Sequence, residues 1–357
     1  MEQRTKVLAH GKFYLEGISR YRNEIYGFSI LWVLLFHMKK IEKVEFFSGI
    51  PVLHCFDTIA KYGNMGVDMF LFMSGICLYF SFVRNNNLQE YYKKRLTRIF
   101  FPIVFIPLPL WLVYLLVGRI SIWGLFNRVL LVEYWISKDV QVWFASFIVV
   151  LYLVYPYLYY YLFRKNNTKS IQLRILALLF LTILVTVCIY KEAPEVFNHL
   201  LHSVPRIPVF LTGCCFGKFV YEKKKIPVAV PVILLLLFFA LSGSLLYFEK
   251  FVGLYKRYTY WIGGMAFTFA LVMVLSVMPE IINQILRVFG NLSYEFYLSH
   301  IALFRFFKMN ILSPLRKNKL LEFAIILFAG LIWAKITAHL IYKAFLWRNR
   351  IQERRSQ

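Results

Sequence analysis

Acidic residues are scarce in this chain of 357 residues: 18 Asp and Glu stand against 42 Lys and Arg, a formal net charge of +24. Charge of either sign is thin as well, at 17% of residues, while 60% are hydrophobic and mean hydropathy is +0.60. Soluble domains carry about 25% charged residues, so this composition excludes an ordinary water-soluble fold. The five cysteines, Cys55, Cys77, Cys188, Cys214 and Cys215, make no C-x-x-C pair and join no histidine at ligand spacing. Neither a metal site nor a disulfide framework is expected from them. Residues 1–22 are polar and charged, and no small-residue cleavage site follows the first apolar run, so a cleavable signal peptide is not expected. Internal repeats and low-complexity linkers are also lacking.

Long apolar runs are what the chain does have. Many approach or reach the roughly 20 residues that cross a bilayer, Ile226 to Phe248 and Tyr258 to Met278 among them. Windows between charged breaks predict about ten helices, near 23–38, 64–83, 99–118, 143–163, 171–190, 204–220, 226–248, 258–278, 291–309 and 319–347. The expected fold is all-α, a polytopic membrane bundle forming a single domain over 1–357, with residues 1–22 and 348–357 as cytoplasmic ends. Basic residues cluster between alternate spans. The acids Glu42, Glu45, Asp57, Glu133, Asp139, Glu192, Glu195 and Glu249 fall on the opposite face, and this bias places both termini in the cytoplasm. The basic excess is therefore a membrane-orientation signal, and nucleic acid is not an expected partner. Gly213 and Gly217, a G-x-x-x-G in the sixth span, predict close helix packing.

Ionisable side chains at bilayer depth cost several kcal/mol unless paired or hydrated, which singles out each one. They are His37, Asp68, Arg206, Glu295, His300, Arg305 and Lys335. Arg22 and His37 are 15 residues apart on the first span, about 22 Å of rise and about 60° of turn, and so can line one face. Asp68, in "GNMGVDMFLFMSG", enters the second span at a depth close to that of His37. Its carboxylate can accept from one imidazole nitrogen and leave the other as a base, or it can act as a first-turn acid of its own helix. His37 and His300 also admit a plain packing role. Arg95 and Arg98, in "YYKKRLTRIFFP", are three apart and can aim at one anion, with Lys93 and Lys94 beside them and Pro102 marking the turn into the next span. Positive-inside anchoring on lipid headgroups is the plainer account of that stretch.

Taken together, His37 closing the first span, "GVDMFLFMSG", "KRLTRIFFP", the "VWFASFIVVLY" region around Trp143 and "GNLSYEFYLSHI" resemble the acyltransferase family 3 of bacterial integral-membrane acyltransferases. The resemblance implies transfer of an acyl group, usually acetyl, from cytoplasmic acyl-CoA to a hydroxyl of an exported or membrane-facing carbohydrate. It implies a multi-pass protein of the bacterial inner membrane. It makes His37 the catalytic histidine and gives Arg95 and Arg98 the acyl-CoA phosphates. One departure stands out. Where the family has an arginine eleven residues before that histidine, this chain has Tyr26, and Arg22, one turn earlier, is expected to stand in for it beside Arg95 and Arg98 in binding acyl-CoA. Asp68 is expected to orient His37, and Tyr294, His300, Arg206 and Trp143 to line the substrate cavity. The rival reading is a transporter or flippase for a lipid-linked sugar, for which an internal repeat would be expected.

Overall fold

The computed structural model describes residues 7–41, 54–137, 139–163, 167–244, 252–307 and 319–356. Glu42, Glu45 and Glu249 lie outside that set. Among the described residues there are seventeen α-helices, and the described part of each predicted apolar stretch is largely helical, with 99–118 divided between two helices at Ile106. Five helices are long and apolar enough to span a bilayer: Met65–Arg84, Trp143–Phe163, Thr168–Glu192, Gly253–Val277 and Leu321–Ala344. Two bent pairs raise this to seven, Leu88–Phe105 with Pro107–Leu116 at 47°, and Pro194–Leu200 with Val204–Tyr221 at 59°. Leu173 and Phe180 on the third of the five are 71% and 69% exposed, as side chains turned to lipid would be.

The chain forms two compact units. The first comprises Met1–Phe36, Tyr62–Tyr91 and Val150–Gly290. Its centre is the pairing of α4 (Met65–Arg84) with α12 (Ile207–Tyr221), covered by α14 (Val252–Val277). Gly213 makes that approach possible, because a Cβ there would collide with the backbone carbonyl of Phe72, and across the seam a Cβ on Gly75 would sit 2.5 Å from the Cys214 nitrogen. The close packing expected of the G-x-x-x-G is therefore present. Gly213→Leu should cost at least the roughly 1–3 kcal/mol of an overpacked core. The result expected is a lower thermal midpoint in detergent, read by size-exclusion chromatography after heating.

Three short strands were not anticipated. β1 (Leu8–Ala9) and β2 (Lys12–Tyr14) form a hairpin whose two turn residues, His10 and Gly11, have φ of 49° and 69°. Positive φ at both positions is the primed turn that suits a two-residue hairpin. β3 (Lys225–Pro227) adds antiparallel to β2, Phe13 is fully buried against Phe269, and the Lys225 ammonium lies 4.6 Å from the Tyr14 ring.

The second unit comprises His37–Lys61, Tyr92–Val149 and Asn291–Gln357. Here α16 (Ser293–Phe307) packs on α17 (Lys319–Ser356) and α6 (Pro107–Leu116). The Ser299 hydroxyl donates to the Gly330 carbonyl at 2.9 Å, and the Trp333 indole to the Phe105 carbonyl at 3.2 Å, so α16, α17 and α5 (Leu88–Phe105) are tied by polar bonds at apolar depth. Pro102 does not turn the chain as expected. It is carried inside α5, whose last turn closes with Ile106 N–H on the Pro102 carbonyl, and the bend falls at Ile106, just before Pro107 opens α6. Proline is tolerated at the first position of a helix, where its missing N–H costs nothing, and so the break settles there.

Candidate functional site

His37 lies in the last turns of α2 (Arg22–Ile41), half-buried, and His300 lies midway along α16, completely buried. His37 Nδ1 and His300 Nε2 are 3.0 Å apart, and their ring planes differ by 23° with centroids 5.2 Å apart. The N···N gap plus one ring radius at either end accounts for the whole centroid separation. The rings therefore meet edge to edge and nearly coplanar, the geometry in which a ring N–H points along its neighbour's lone pair. His300 Nδ1 lies 2.8 Å from the Phe296 carbonyl. Phe296, Tyr297 and Phe304 surround the His300 ring at centroid distances of 5.8, 5.9 and 6.0 Å.

The same helix reaches the arginine stretch. Tyr294 donates its hydroxyl to the Ile99 carbonyl at 3.2 Å, on the residue next to Arg98. Arg95 is half-buried on α5 and Arg98 exposed, with Lys93 and Lys94 exposed beside them. From Tyr294 to His300 is six residues, about 9 Å of rise. One rigid element thus carries both the contact with the arginine-bearing helix and the imidazole that meets His37. Trp143, at the start of α9 (Trp143–Phe163), is half-buried beside Tyr134 and Phe144, and Phe144 packs edge-on against Tyr297 of α16.

Asp68 and Arg206 come together in the first unit. Arg206, 1% exposed, donates from Nε to Asp68 Oδ1 at 3.0 Å, from Nη2 to Asn64 Oδ1 at 2.9 Å and from Nη1 to the His202 carbonyl at 2.8 Å. Asp68 itself is fully buried. The sequence reading gives Asp68 the imidazole of His37 as its partner. The partner found for Asp68 is Arg206, and the partner found for His37 is His300. The contact between His300 and His37 was missed because it joins residues 263 apart in the chain. Asn64 was missed too, although its place four residues before Asp68 puts both on one helical face. Arg22 is exposed and reaches Asn23 with its Nε at 3.3 Å. Arg305 and Lys335 are exposed, Arg305 lying 3.9 Å from Asp139.

Near the start of α2, Glu24 accepts two bonds from Arg287, at 3.0 and 2.7 Å. Those bonds hold the guanidinium above its ordinary range. Arg287, Glu24, Arg20 and Asn283 line a small cavity of about 80 Å³. Among the described residues no group of three or more His, Cys, Asp or Glu side chains could hold a metal ion.

A chain with five to seven helices able to span a bilayer, and with two imidazoles in contact at the end of an apolar helix, is a helical membrane protein with ionisable groups gathered among apolar ones. Comparison with family models gives the particular class. The acyltransferase domain of acyltransferase family 3 matches residues 25–339, and the chain belongs to that family. It is a membrane acyltransferase. The match takes in every residue described in this site except Arg20, Arg22, Asn23 and Glu24, just before its start. Neither curated proteins nor solved structures give a match.

Proposed function

We propose that the protein moves an acetyl or other short acyl group from cytoplasmic acyl-CoA to a hydroxyl of a cell-surface or exported carbohydrate, in the inner membrane of a bacterium. The observation that supports this most is the span of α16. It holds His300 against His37 at 3.0 Å and, six residues earlier, grips α5 beside Arg98. A donor whose phosphates rest on Arg95 and Arg98 then runs its thioester arm along that helix toward the imidazole. His37 takes the proton of the acceptor hydroxyl as its oxygen attacks the thioester carbonyl. The C–S bond breaks, and the imidazolium returns the proton to the leaving thiolate. Prior transfer of the acyl group to the imidazole itself uses the same lone pair. Asp68 has a supporting part through its sealed ion pair with Arg206. Tyr294 and Trp143 line the approach, and Arg22 stands at the cytoplasmic end of α2.

Two contacts support an even number of crossings that returns the chain to one face, as ten crossings with both termini inside would require. β2 pairs with β3, so residues 12–14 and 225–227 share a face of the membrane, which requires an even number of crossings between them. Six of the ten stretches lie there. Glu24 binds Arg287, so α15 (Glu280–Asn291) returns to the same face after two more. The last two, α16 and α17, bring the C-terminus back.

The donor site is tested with CoA and no acceptor. Saturating CoA at about one hundred times its Kd should stabilise the detergent-solubilised protein by about 2.7 kcal/mol, and Arg95→Ala with Arg98→Ala should abolish the shift. Equal protection of the double variant would remove the arginine pair from the donor site. A protein protected by a lipid-linked sugar but never by CoA would be a transporter.

A further inference from the structure

We infer that His300 is a positioning residue that fixes the tautomer of His37, so that Nδ1 of His37 carries the proton and Nε2 carries the lone pair used in the reaction. The inference deepens the proposed function and rests on His37 being its base. The argument is one of elimination along a chain of three groups. The Phe296 carbonyl can only accept, so the ring nitrogen 2.8 Å from it, Nδ1 of His300, must donate. A neutral imidazole has one ring proton, and a charged one would need a counter-charge where this ring has Phe296, Tyr297 and Phe304 around it. With its proton committed to Phe296, His300 presents a bare Nε2. The atom 3.0 Å away in the ring plane, Nδ1 of His37, must then be the donor. In the neutral state that a base requires, His37 then carries its lone pair on Nε2.

Nothing in this chain of bonds requires a carboxylate. A carboxylate behind a histidine would favour the imidazolium, whereas a neutral imidazole fixes the same orientation without adding negative charge. The mobility of His300 is restricted as well, since the neighbouring Ser299 is bonded to Gly330 of α17 and His300 is itself enclosed.

The tautomer can be read directly on the full chain, labelled with [15N]histidine and purified in detergent micelles. Two-bond 1H–15N spectra distinguish protonated from bare ring nitrogens, and the His37 signals are those lost in His37→Gln. Nδ1–H with bare Nε2 is expected for His37 in the wild-type protein and in His300→Gln, whose side-chain carbonyl can accept the same bond. In His300→Leu the proton should move to Nε2 or divide between the two nitrogens. A wild-type His37 protonated at Nε2, or a His300→Leu protein unchanged from wild type, would overturn the inference. A second arm uses [14C]acetyl-CoA and membranes of the producing cells. His300→Leu should lose roughly 10- to 100-fold in kcat at unchanged KM for acetyl-CoA, with His300→Gln recovering most of it. Equal losses in the two variants, both folded, also count against it. Wild-type membranes that transfer no label would sink the proposed donor and leave the spectrum to decide the tautomer.

Discussion

His37→Ala is expected to lower acyl transfer from labelled acetyl-CoA by roughly 10²- to 10⁴-fold, the range a positioned general base contributes. The protein should still be made and inserted, because His37 is half-buried and sits in the last turns of α2, so little packing is lost. CoA should still protect the variant against heat, since Arg95 and Arg98 are untouched. That combination of dead chemistry and intact donor binding separates a base from a binding residue. Transfer by His37→Ala within threefold of wild type would end the assignment of this imidazole to the reaction.

Asp68→Ala should act on the fold. The Asp68–Arg206 pair is sealed, and removing the carboxylate leaves a guanidinium with 1% exposure and no counter-charge on Asp68. Breaking one half of such a pair costs about 3–5 kcal/mol, whereas replacing both halves with apolar side chains of similar volume is often nearly neutral. The single variant is therefore expected to lose most of its folded protein, judged by a monodisperse peak after detergent extraction. Asp68→Leu combined with Arg206→Met should restore much of it. If the double variant is folded and also active, Asp68 serves only the structure. If it is folded and inactive, Asp68 has a further part in transfer.

The sequence exposes single residues better than it exposes partnerships. His37 is conspicuous because an imidazole ends an apolar run, and the arginine pair because its members fall on one helical face. Those signals are local, and the largely helical character of the predicted apolar stretches follows from the same kind of reading. Partners are different. His37 with His300, Asp68 with Arg206 and Glu24 with Arg287 lie 263, 138 and 263 residues apart. Periodicity says which side of a helix is polar but not which helix that side will meet. Depth alone suggested that Asp68 would serve His37, since both stand near the same end of adjacent spans. The buried guanidinium of Arg206 has the stronger claim on a buried carboxylate, because only an opposite charge offsets the cost of desolvation on both. The hairpin at His10 and Gly11 escaped notice for another reason. Its strands are two and three residues long, too short for alternation to register.

The small sheet also imposes a timetable on biogenesis. Leu8–Ala9 and Lys12–Tyr14 leave the ribosome about 200 residues ahead of Lys225–Pro227, the strand that completes them. At roughly 5–20 residues per second, translation leaves the hairpin unfinished for on the order of ten seconds or longer, with the Phe13 ring lacking its eventual neighbours while helix after helix enters the bilayer. The hairpin is thus made well before the strand that secures it.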